Sequence, residues 1–289
     1  MRKEAGLERI LEFEPQLERL VELAIQEDLG KGDITTELLI PKDLQARGKI
    51  IVEASAIFCG RYPAEMVFFK LDSSAEIIKA VEDGEGVKRD DVVMEIKARA
   101  EALLSGERLA LNFLQHLSGV ATLTHKFVEQ VKHTKAKIMA TRKTLPLLRG
   151  LQKYAVVVGG GLSHRLRLDD GILIKDNHLE IFGDLKKAVQ QAKSRASQGM
   201  PVEVEVESLE DFKRALEAGA DIIMLDNMSP EQLREAVEVA KGKALLEASG
   251  GIRLENVKEV AETGVDYISI GSLTHSVPAI PFQMHLEPL

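Results

Sequence analysis

The chain has 289 residues, of which 45% are hydrophobic and 29% are charged, and its formal net charge at pH 7 is −8. This length allows one large core or two moderate ones, and we expect a barrel with a smaller domain. A net acidic chain disfavours a nucleic-acid binder, which would usually be basic over a whole face. No apolar run approaches the roughly 20 residues that span a bilayer, and the opening residues do not resemble a signal peptide, so we expect a cytoplasmic protein.

The first part of the chain predicts a small α+β domain. Apolar residues between positions 7 and 29 recur at helical spacing, which indicates one or two amphipathic helices broken near Pro15. Short β-rich runs separated by glycines follow, up to about residue 105. Cys59 is the only cysteine, which excludes an internal disulfide, and we expect it to be an inert small apolar residue.

Residues 107–134 predict a helix that connects two domains. Their apolar side chains form one stripe, and Gly119 is expected to break or bend the helix. His116 and His125 lie on this stretch, and we expect them to be packing or surface residues.

Apolar strands and amphipathic helices alternate from Lys137 onward. Ser208 and Ser229 stand where helix N-caps belong, and Gly219 and Gly242 stand where C-caps belong. The repetition predicts a parallel sheet that curls into a full or incomplete barrel, with a doubly wound open sheet as the alternative. The predicted strands are KIMA, ILIK, VEVEV, IIMLD, ALLEAS and YISIG.

Polar residues follow these strands at the end where barrel enzymes place their active sites. We expect them to lie together, because the carboxyl ends of parallel strands converge on one mouth. Glycines in the last two loops would let backbone N–H groups approach phosphate oxygens. The residues are Thr141, Arg142 and Lys143 after the first strand, Lys175 after the second, Glu205 in the third, Asp226 after the fourth, Ser249, Gly250 and Gly251 after the fifth, and Gly271 and Ser272 after the sixth.

The segment 137–178 is basic although the chain is acidic. It contains eight Lys or Arg residues and three Asp residues, which gives a local charge of +5. Such a site suits a small ligand with several negative charges, so phosphates and carboxylates are the expected ligands. Glu203, Glu205 and Glu207 alternate along one strand and should face the same side, where cations or hydroxyl groups must meet them. The run does not distinguish a metal site from a sugar-hydroxyl site.

Several longer motifs carry a resemblance to a known family. They are EDLGKGDITTELL, GERLALNFLQHLSGVAT, ATRKTLP, QKYAVVVGGGLSHR, LIKDNHL, VEVEVES, IMLDN, EASGGI and YISIGSLTHS. In this combination the chain resembles the quinolinate phosphoribosyltransferases. The resemblance implies an incomplete α/β barrel of about six to seven parallel strands with an N-terminal α+β open-sandwich domain. The implied domains are 1–115 with the connector helix, 116–272 as the barrel, and 273–289 as a tail that returns to the N-terminal domain.

The resemblance also implies a reaction and a set of site residues. The reaction is decarboxylating phosphoribosyl transfer from phosphoribosyl pyrophosphate (PRPP) to quinolinate in NAD biosynthesis, with Mg²⁺. The implied quinolinate-binding residues are Arg108, Thr141, Arg142, Lys143, His164, Arg165 and Lys175. The implied PRPP-binding residues are Glu205, Asp226, Ser249, Gly250, Gly251, Ile270, Gly271 and Ser272. The implied catalytic residues are Lys143, Lys175, Glu205 and Asp226, and the last two are also the implied magnesium ligands, directly or through water.

The family further implies a homodimer in which Arg108 of each chain completes the site of the other, with a hexamer of dimers as a larger assembly. The chain departs from the family pattern at Leu147 and Arg167, where glycine is usual, and at Ser163, where asparagine is usual. These departures concern the preferred acid, so a phosphoribosyltransferase for nicotinate or another pyridine or pyrimidine acid is an alternative. A sister group tied to molybdenum transport, a non-catalytic sugar-phosphate sensor and a lyase with Lys175 as Schiff-base former are further alternatives.

Overall fold

The computed structural model describes residues 10–289 of the chain. The helices are α1 (Leu17–Leu29), α2 (Ile34–Leu39), α3 (Arg61–Leu71), α4 (Ala100–Val131), α5 (Arg149–Val158), α6 (Asp176–Phe182), α7 (Leu185–Arg195), α8 (Leu209–Ala218), α9 (Pro230–Ala240), α10 (Val257–Glu262) and α11 (Ser272–His275). The strands are β1 (Gln45–Val52), β2 (Ala56–Ile57), β3 (Glu76–Ala80), β4 (Gly86–Val87), β5 (Val92–Arg99), β6 (Lys137–Met139), β7 (Ile172–Ile174), β8 (Val202–Val206), β9 (Ile222–Asp226), β10 (Leu245–Ser249), β11 (Tyr267–Ser269) and β12 (Phe282–Pro288). Among these helices, none is both long and apolar enough to cross a membrane.

The chain forms two compact units. The first contains the described residues up to 123, together with 145–160 and 276–289, and the second contains 124–144 and 161–275. Helix α4 contributes residues to both units.

A four-stranded antiparallel sheet of order β12-β1-β5-β3 forms the centre of the first unit. Every second residue of β1, from Ala46 to Val52, is buried, as expected for a strand with one face on a core.

Cys59 is fully buried, and burial raises the pKa of its thiol, which confirms that it is an inert packing residue. Residues 10–13 and α1 are helical on either side of Pro15, which confirms the predicted break, while the predicted apolar positions before residue 10 lie outside the described residues.

Helix α4 is continuous through Gly119, so of the predicted break or bend at this glycine the break is wrong. The glycine serves packing instead, because a Cβ atom there would lie 2.4 Å from the carbonyl oxygen of Pro278. On the same helix, His116 Nε2 lies 2.9 Å from Gln152 Nε2, and His125 is exposed. Both histidines therefore have the packing and surface roles that were predicted.

A six-stranded parallel sheet of order β6-β11-β10-β9-β8-β7 forms the second unit. All six predicted strands are confirmed, because each apolar run coincides with one of these strands. Leu162 adds an isolated parallel bridge to Met139 of β6. Among the described residues, β6 and β7 at the two ends of the order do not pair with each other, so the barrel is incomplete, as predicted.

The helix caps in the second unit follow the predicted chemistry at three of four positions. Ser208 accepts a hydrogen bond from the backbone N–H of Asp211, and Ser229 forms a capping box, each at the start of a helix. Gly219 ends α8 with a φ of +82°. Gly242 is not a C-cap, because α9 ends one residue earlier, at a C-cap Lys241 with a φ of +46°.

Candidate active site

A cavity of about 300 Å³ lies at the carboxyl-terminal ends of the parallel strands of the second unit. This volume is in the range of small-molecule sites. The cavity brings together nine of the predicted site residues, which are Thr141, Arg142, Lys143, His164, Arg165, Lys175, Glu205, Asp226 and Ser249. It is also lined by Ala140, Leu173, Met224, Glu247 and Ser269.

Two neighbouring arginines make part of the cavity strongly cationic. Arg142 follows β6, and its Nε atom is buried with no hydrogen-bond partner among the described residues. Arg165 donates from Nη1 to the carbonyl oxygen of Gly171 at 3.2 Å. Burial and the positive charge of Arg142 lower the pKa of Arg165. Two guanidinium groups this close, one with an unused buried N–H, provide a site for a planar anion such as a carboxylate.

His164 lies beside these arginines in a strained backbone conformation. Its φ of +47° is in the left-handed region, which a residue with a side chain adopts at an energetic cost. The hydroxyl of Ser163 donates to the carbonyl oxygen of His164 at 2.9 Å. The His164 ring contacts an acid of the barrel, with Nε2 3.0 Å from Glu203 Oε2. The strained loop thus holds the imidazole between the cavity and the barrel interior.

The segment that carries Lys143 is fixed from the last loop of the sheet. Thr274 donates from Oγ1 to the carbonyl oxygen of Lys143 at 2.7 Å. A Cβ atom on Gly271 would lie 3.1 Å from Lys143 Cδ and 3.0 Å from His275 Nε2. The absence of a side chain at Gly271 therefore leaves room for the lysine, in addition to the phosphate role predicted for this glycine.

The acidic part of the cavity is formed by β8 and β9. Lys175 Nζ donates a short hydrogen bond to Glu205 Oε2, and the Glu205 side chain is only 11% exposed. Asp226 ends β9 and accepts a hydrogen bond from Asn227 Nδ2 at 2.7 Å. Two carboxylates on neighbouring strands suit either ribose hydroxyl groups or a hard cation that keeps several waters. The donor set therefore fits Mg²⁺.

The glycines of the loop after β10 adopt conformations that favour glycine. Gly250 has a φ of +88°, and a Cβ atom there would lie 2.1 Å from Asn227 Oδ1. Gly251 has a φ of +63°, and a Cβ atom there would meet nothing within 4 Å. Neither glycine lines the cavity directly, nor do three other predicted residues, which are Ile270, Gly271 and Ser272.

Arg108 lies on α4 and is exposed. It belongs to the first unit and is not among the residues that line the cavity.

Of the three departures from the family pattern, Leu147 has a φ of +65°, a conformation that explains a preference for glycine there. Arg167 is exposed and pairs with Asp169 at 3.4 Å.

Sequence reasoning missed Glu247 and Ser269 and gave Glu203 no role in the site. Glu203 and Glu247 are 3% and 0% exposed, and Ser269 donates a short hydrogen bond to Glu247. Burial and the nearby charge of Glu203 raise the pKa of Glu247 well above its usual value. The available signal was the acid inside the apolar run ALLEAS, since a charged residue is rarely buried in a strand without partners. Glu207, which was grouped with Glu203 and Glu205, is exposed and lies beyond the end of β8.

The fold and cavity define an incomplete α/β-barrel enzyme whose cavity is of the size of a small-molecule site and carries both cationic and acidic side chains. Comparison with known proteins agrees with this class. Residues 33–118 match the description "Quinolinate phosphoribosyl transferase, N-terminal domain", and residues 120–285 match "Quinolinate phosphoribosyl transferase, C-terminal domain". The chain belongs to the quinolinate phosphoribosyl transferase family, which confirms the resemblance.

Individual relatives cover almost the whole chain. It is 41% identical over 277 residues to a probable nicotinate-nucleotide pyrophosphorylase (carboxylating) of Methanocaldococcus jannaschii, covering 93% of this chain and 96% of the relative. It is 41% identical over 270 residues to the nicotinate-nucleotide pyrophosphorylase (carboxylating) of Mycobacterium leprae, covering 91% and 94%. The crystal structure of NadC from Streptococcus pyogenes superposes with a TM-score of 0.91 at 39% identity, covering 95% and 97%.

Proposed function

We propose that the cavity transfers the phosphoribosyl group of PRPP to quinolinate with loss of CO2, which gives nicotinate mononucleotide for NAD biosynthesis. The observation that carries this proposal is a single cavity lined both by the neighbouring guanidinium groups of Arg142 and Arg165 and by the carboxylates of Glu205 and Asp226. Membership of the family and the carboxylating activity named for the relatives support the same reaction.

The cationic residues bind the acid. Quinolinate has two carboxylates, and Arg142 and Arg165 can each form paired hydrogen bonds with such a group. His164 and Lys175 add further donors in the same cavity, and Thr141 contributes a hydroxyl. One carboxylate would leave part of this positive charge without a partner, so the site is suited to a dicarboxylate.

The acidic residues stabilise the transferring sugar. When pyrophosphate leaves, positive charge develops on the ribose carbon, and the carboxylates of Glu205 and Asp226 can stabilise it. Lys143 offsets charge on the leaving group, and the glycine loop 249–251 and the loop 270–272 bind the 5′-phosphate through backbone N–H groups. Glu205 and Asp226 would hold Mg²⁺ directly or through water, and the ion when bound would neutralise part of the pyrophosphate charge.

The pyridine nitrogen then attacks the ribose carbon. Once alkylated, the ring is cationic and can accept the electron pair that remains when the carboxylate beside the nitrogen leaves as CO2. The task of Arg142, Arg165 and His164 is to hold the ring in the orientation that permits both steps.

We further propose a cytoplasmic homodimer in which the exposed Arg108 of each chain binds the acid in the other chain's cavity. The inactive variants Arg108→Ala and Asp226→Ala, refolded together, should regain about a quarter of wild-type activity, because half of randomly paired dimers are mixed and contain one intact site each. If the refolded mixture exchanges subunits and stays inactive, Arg108 does not act across a dimer.

The direct test of the reaction is product analysis. The purified protein is incubated with quinolinate, PRPP and Mg²⁺, and the products are identified by mass spectrometry and by trapping of CO2. We expect nicotinate mononucleotide, pyrophosphate and CO2 in equal amounts. Binding of PRPP without turnover would support a sugar-phosphate sensor instead, and borohydride trapping of a carbonyl substrate on Lys175 would support a lyase.

A further inference from the structure

Two buried acids lie at the cavity and have no part in the function proposed above. Glu203 on β8 and Glu247 on β10 are almost fully buried. Ser269 donates a hydrogen bond to Glu247 Oε1. His164 Nε2 lies 3.0 Å from Glu203 Oε2 and 4.0 Å from Glu247 Oε2. These four side chains form a continuous polar path, and three of them, His164, Glu247 and Ser269, line the cavity.

The two carboxyl groups need a proton between them. Glu203 Oε1 and Glu247 Oε2 are buried, and neither accepts a hydrogen bond from a donor among the described residues. One carboxylate oxygen of each group nevertheless lies within 4.8 Å of an oxygen of the other. Two ionised carboxylates at this separation would repel each other in a region of low dielectric constant, whereas one proton turns the pair into a donor and an acceptor. Glu203 is the carboxyl group nearer the His164 ring, at 3.0 Å against 4.0 Å for Glu247, so we assign the shared proton to Glu247. The pKa of Glu247 is raised by burial and by the charge of Glu203, in agreement with this assignment.

The decarboxylation step requires a proton. Loss of CO2 leaves an electron pair on the ring carbon beside the nitrogen, and the product carries hydrogen at that carbon. The guanidinium groups of Arg142 and Arg165 do not act as acids in proteins, so they do not supply this proton. Lys175 is engaged with Glu205, and Lys143 is assigned above to the charge of the leaving group. His164 both lines the cavity and contacts the acid cluster, so it connects the reacting ring to a stored proton.

We propose that Glu247 stores the proton that replaces the departing carboxyl group and that His164 delivers it. This inference rests on the proposed function. As the bond to CO2 breaks, its electron pair stays on the ring carbon and takes a proton from the His164 ring, forming the new C–H bond. The carboxyl proton of Glu247 then reprotonates His164 through the cluster, and water reprotonates Glu247 after the product leaves. Glu247 acts through His164.

The test variant is Glu247→Gln. Glutamine has nearly the same size, can accept the hydrogen bond from Ser269 and can donate one to Glu203, but it has no acid proton to transfer. Single turnovers of quinolinate, PRPP and Mg²⁺ are quenched at intervals, and pyrophosphate, nicotinate mononucleotide and the still carboxylated mononucleotide are measured separately. We expect pyrophosphate release within about threefold of wild type, while formation of nicotinate mononucleotide falls at least tenfold and the carboxylated mononucleotide accumulates.

Two further variants make the test specific. Ser269→Ala removes a hydrogen bond from Glu247 but leaves the acid, so the carboxylated mononucleotide should not accumulate. His164→Gln interrupts the path at its other end. Because His164 also helps to hold the ring, this variant should slow both steps, but it should slow formation of nicotinate mononucleotide more than pyrophosphate release and accumulate the same intermediate. This result decides the question if Glu247→Gln does not fold. Equal slowing of both steps in the folded variants, or wild-type formation of nicotinate mononucleotide by Glu247→Gln, would overturn the proposal.

A metal is the competing explanation of the cluster, because one ligand atom each from His164, Glu203 and Glu247 lies within 4.8 Å of the others. Metal analysis of the purified wild-type protein should show no stoichiometric ion that Glu247→Gln loses. Such an ion would overturn the proton-storage role. If wild-type protein forms no nicotinate mononucleotide at all, the proposed function fails, whereas a normal wild type with equally slowed steps in the variants refutes only the role of Glu247.

Discussion

Replacement of Lys175 by Ala separates the catalytic role of this residue from any structural role. The change removes the ammonium group that contacts Glu205 in the cavity. The Lys175 side chain is 43% exposed, so solvent screens the ion pair, and its contribution to folding is about 0–1 kcal/mol. Substrates that fill the cavity exclude this solvent, and a charge-assisted contact with the bound ligands then contributes about 2–4 kcal/mol to the transition state. We therefore expect kcat/KM to fall roughly 30- to 1000-fold while thermal stability changes little.

The assay is nicotinate mononucleotide formation under steady-state conditions, with thermal unfolding of the same samples. Lys186→Ala is the matched control, because Lys186 pairs with Glu217 at 2.8 Å and is 46% exposed, but does not line the cavity. The control should keep wild-type activity. A loss below tenfold in Lys175→Ala, or an equal loss in the control, would refute the assignment of Lys175 to the site.

Two predictions concern stability. Gly250→Ala should lower the free energy of unfolding by about 1–3 kcal/mol. The reason is that Gly250 has a φ of +88° and that a Cβ atom there would meet Asn227. An unchanged midpoint in chemical denaturation would show that the loop adapts freely. The raised pKa of Glu247 means that the folded protein holds a proton that the unfolded chain releases above pH 4.5. This contribution to stability is complete below pH 4.5 and is lost as pH rises through the raised folded pKa. The free energy of unfolding, measured by chemical denaturation, should therefore decline with pH above 4.5 in the wild type and decline less in Glu247→Gln. An identical decline in the variant would contradict the protonated state.

The strands of the barrel and the residues at their ends could be predicted because both depend on local pattern. Each apolar run of the barrel had to be buried, and Lys175 and Asp226 follow such runs directly. The fold then brings these ends together whatever the loops contain. Family motifs added residues that spacing did not place, such as His164 on its strained loop.

Two of the errors, at Gly119 and at Glu247, have one physical cause, which is that a contact distant in sequence decides the structure there. Glycine disfavours a helix, which is why a break was expected at Gly119. The helix is continuous there, and the close approach of Pro278 leaves no room for a side chain. Lys241 ends its helix in a left-handed conformation that the neighbouring Gly242 was expected to provide. Glu247 is held in the site by the hydrogen bond from Ser269 and interacts with Glu203, and both of these residues lie on other strands of the sheet.

The central claim is that the cavity is built for an acid with two carboxylates. It is tested most directly by kcat/KM for quinolinate and for nicotinate, each with PRPP and Mg²⁺. Nicotinate lacks one carboxylate, so part of the cationic set formed by Arg142, Arg165 and His164 would stay unpaired in its complex. We predict that quinolinate is preferred by roughly 100-fold or more. Comparable kcat/KM values for the two acids would contradict the account.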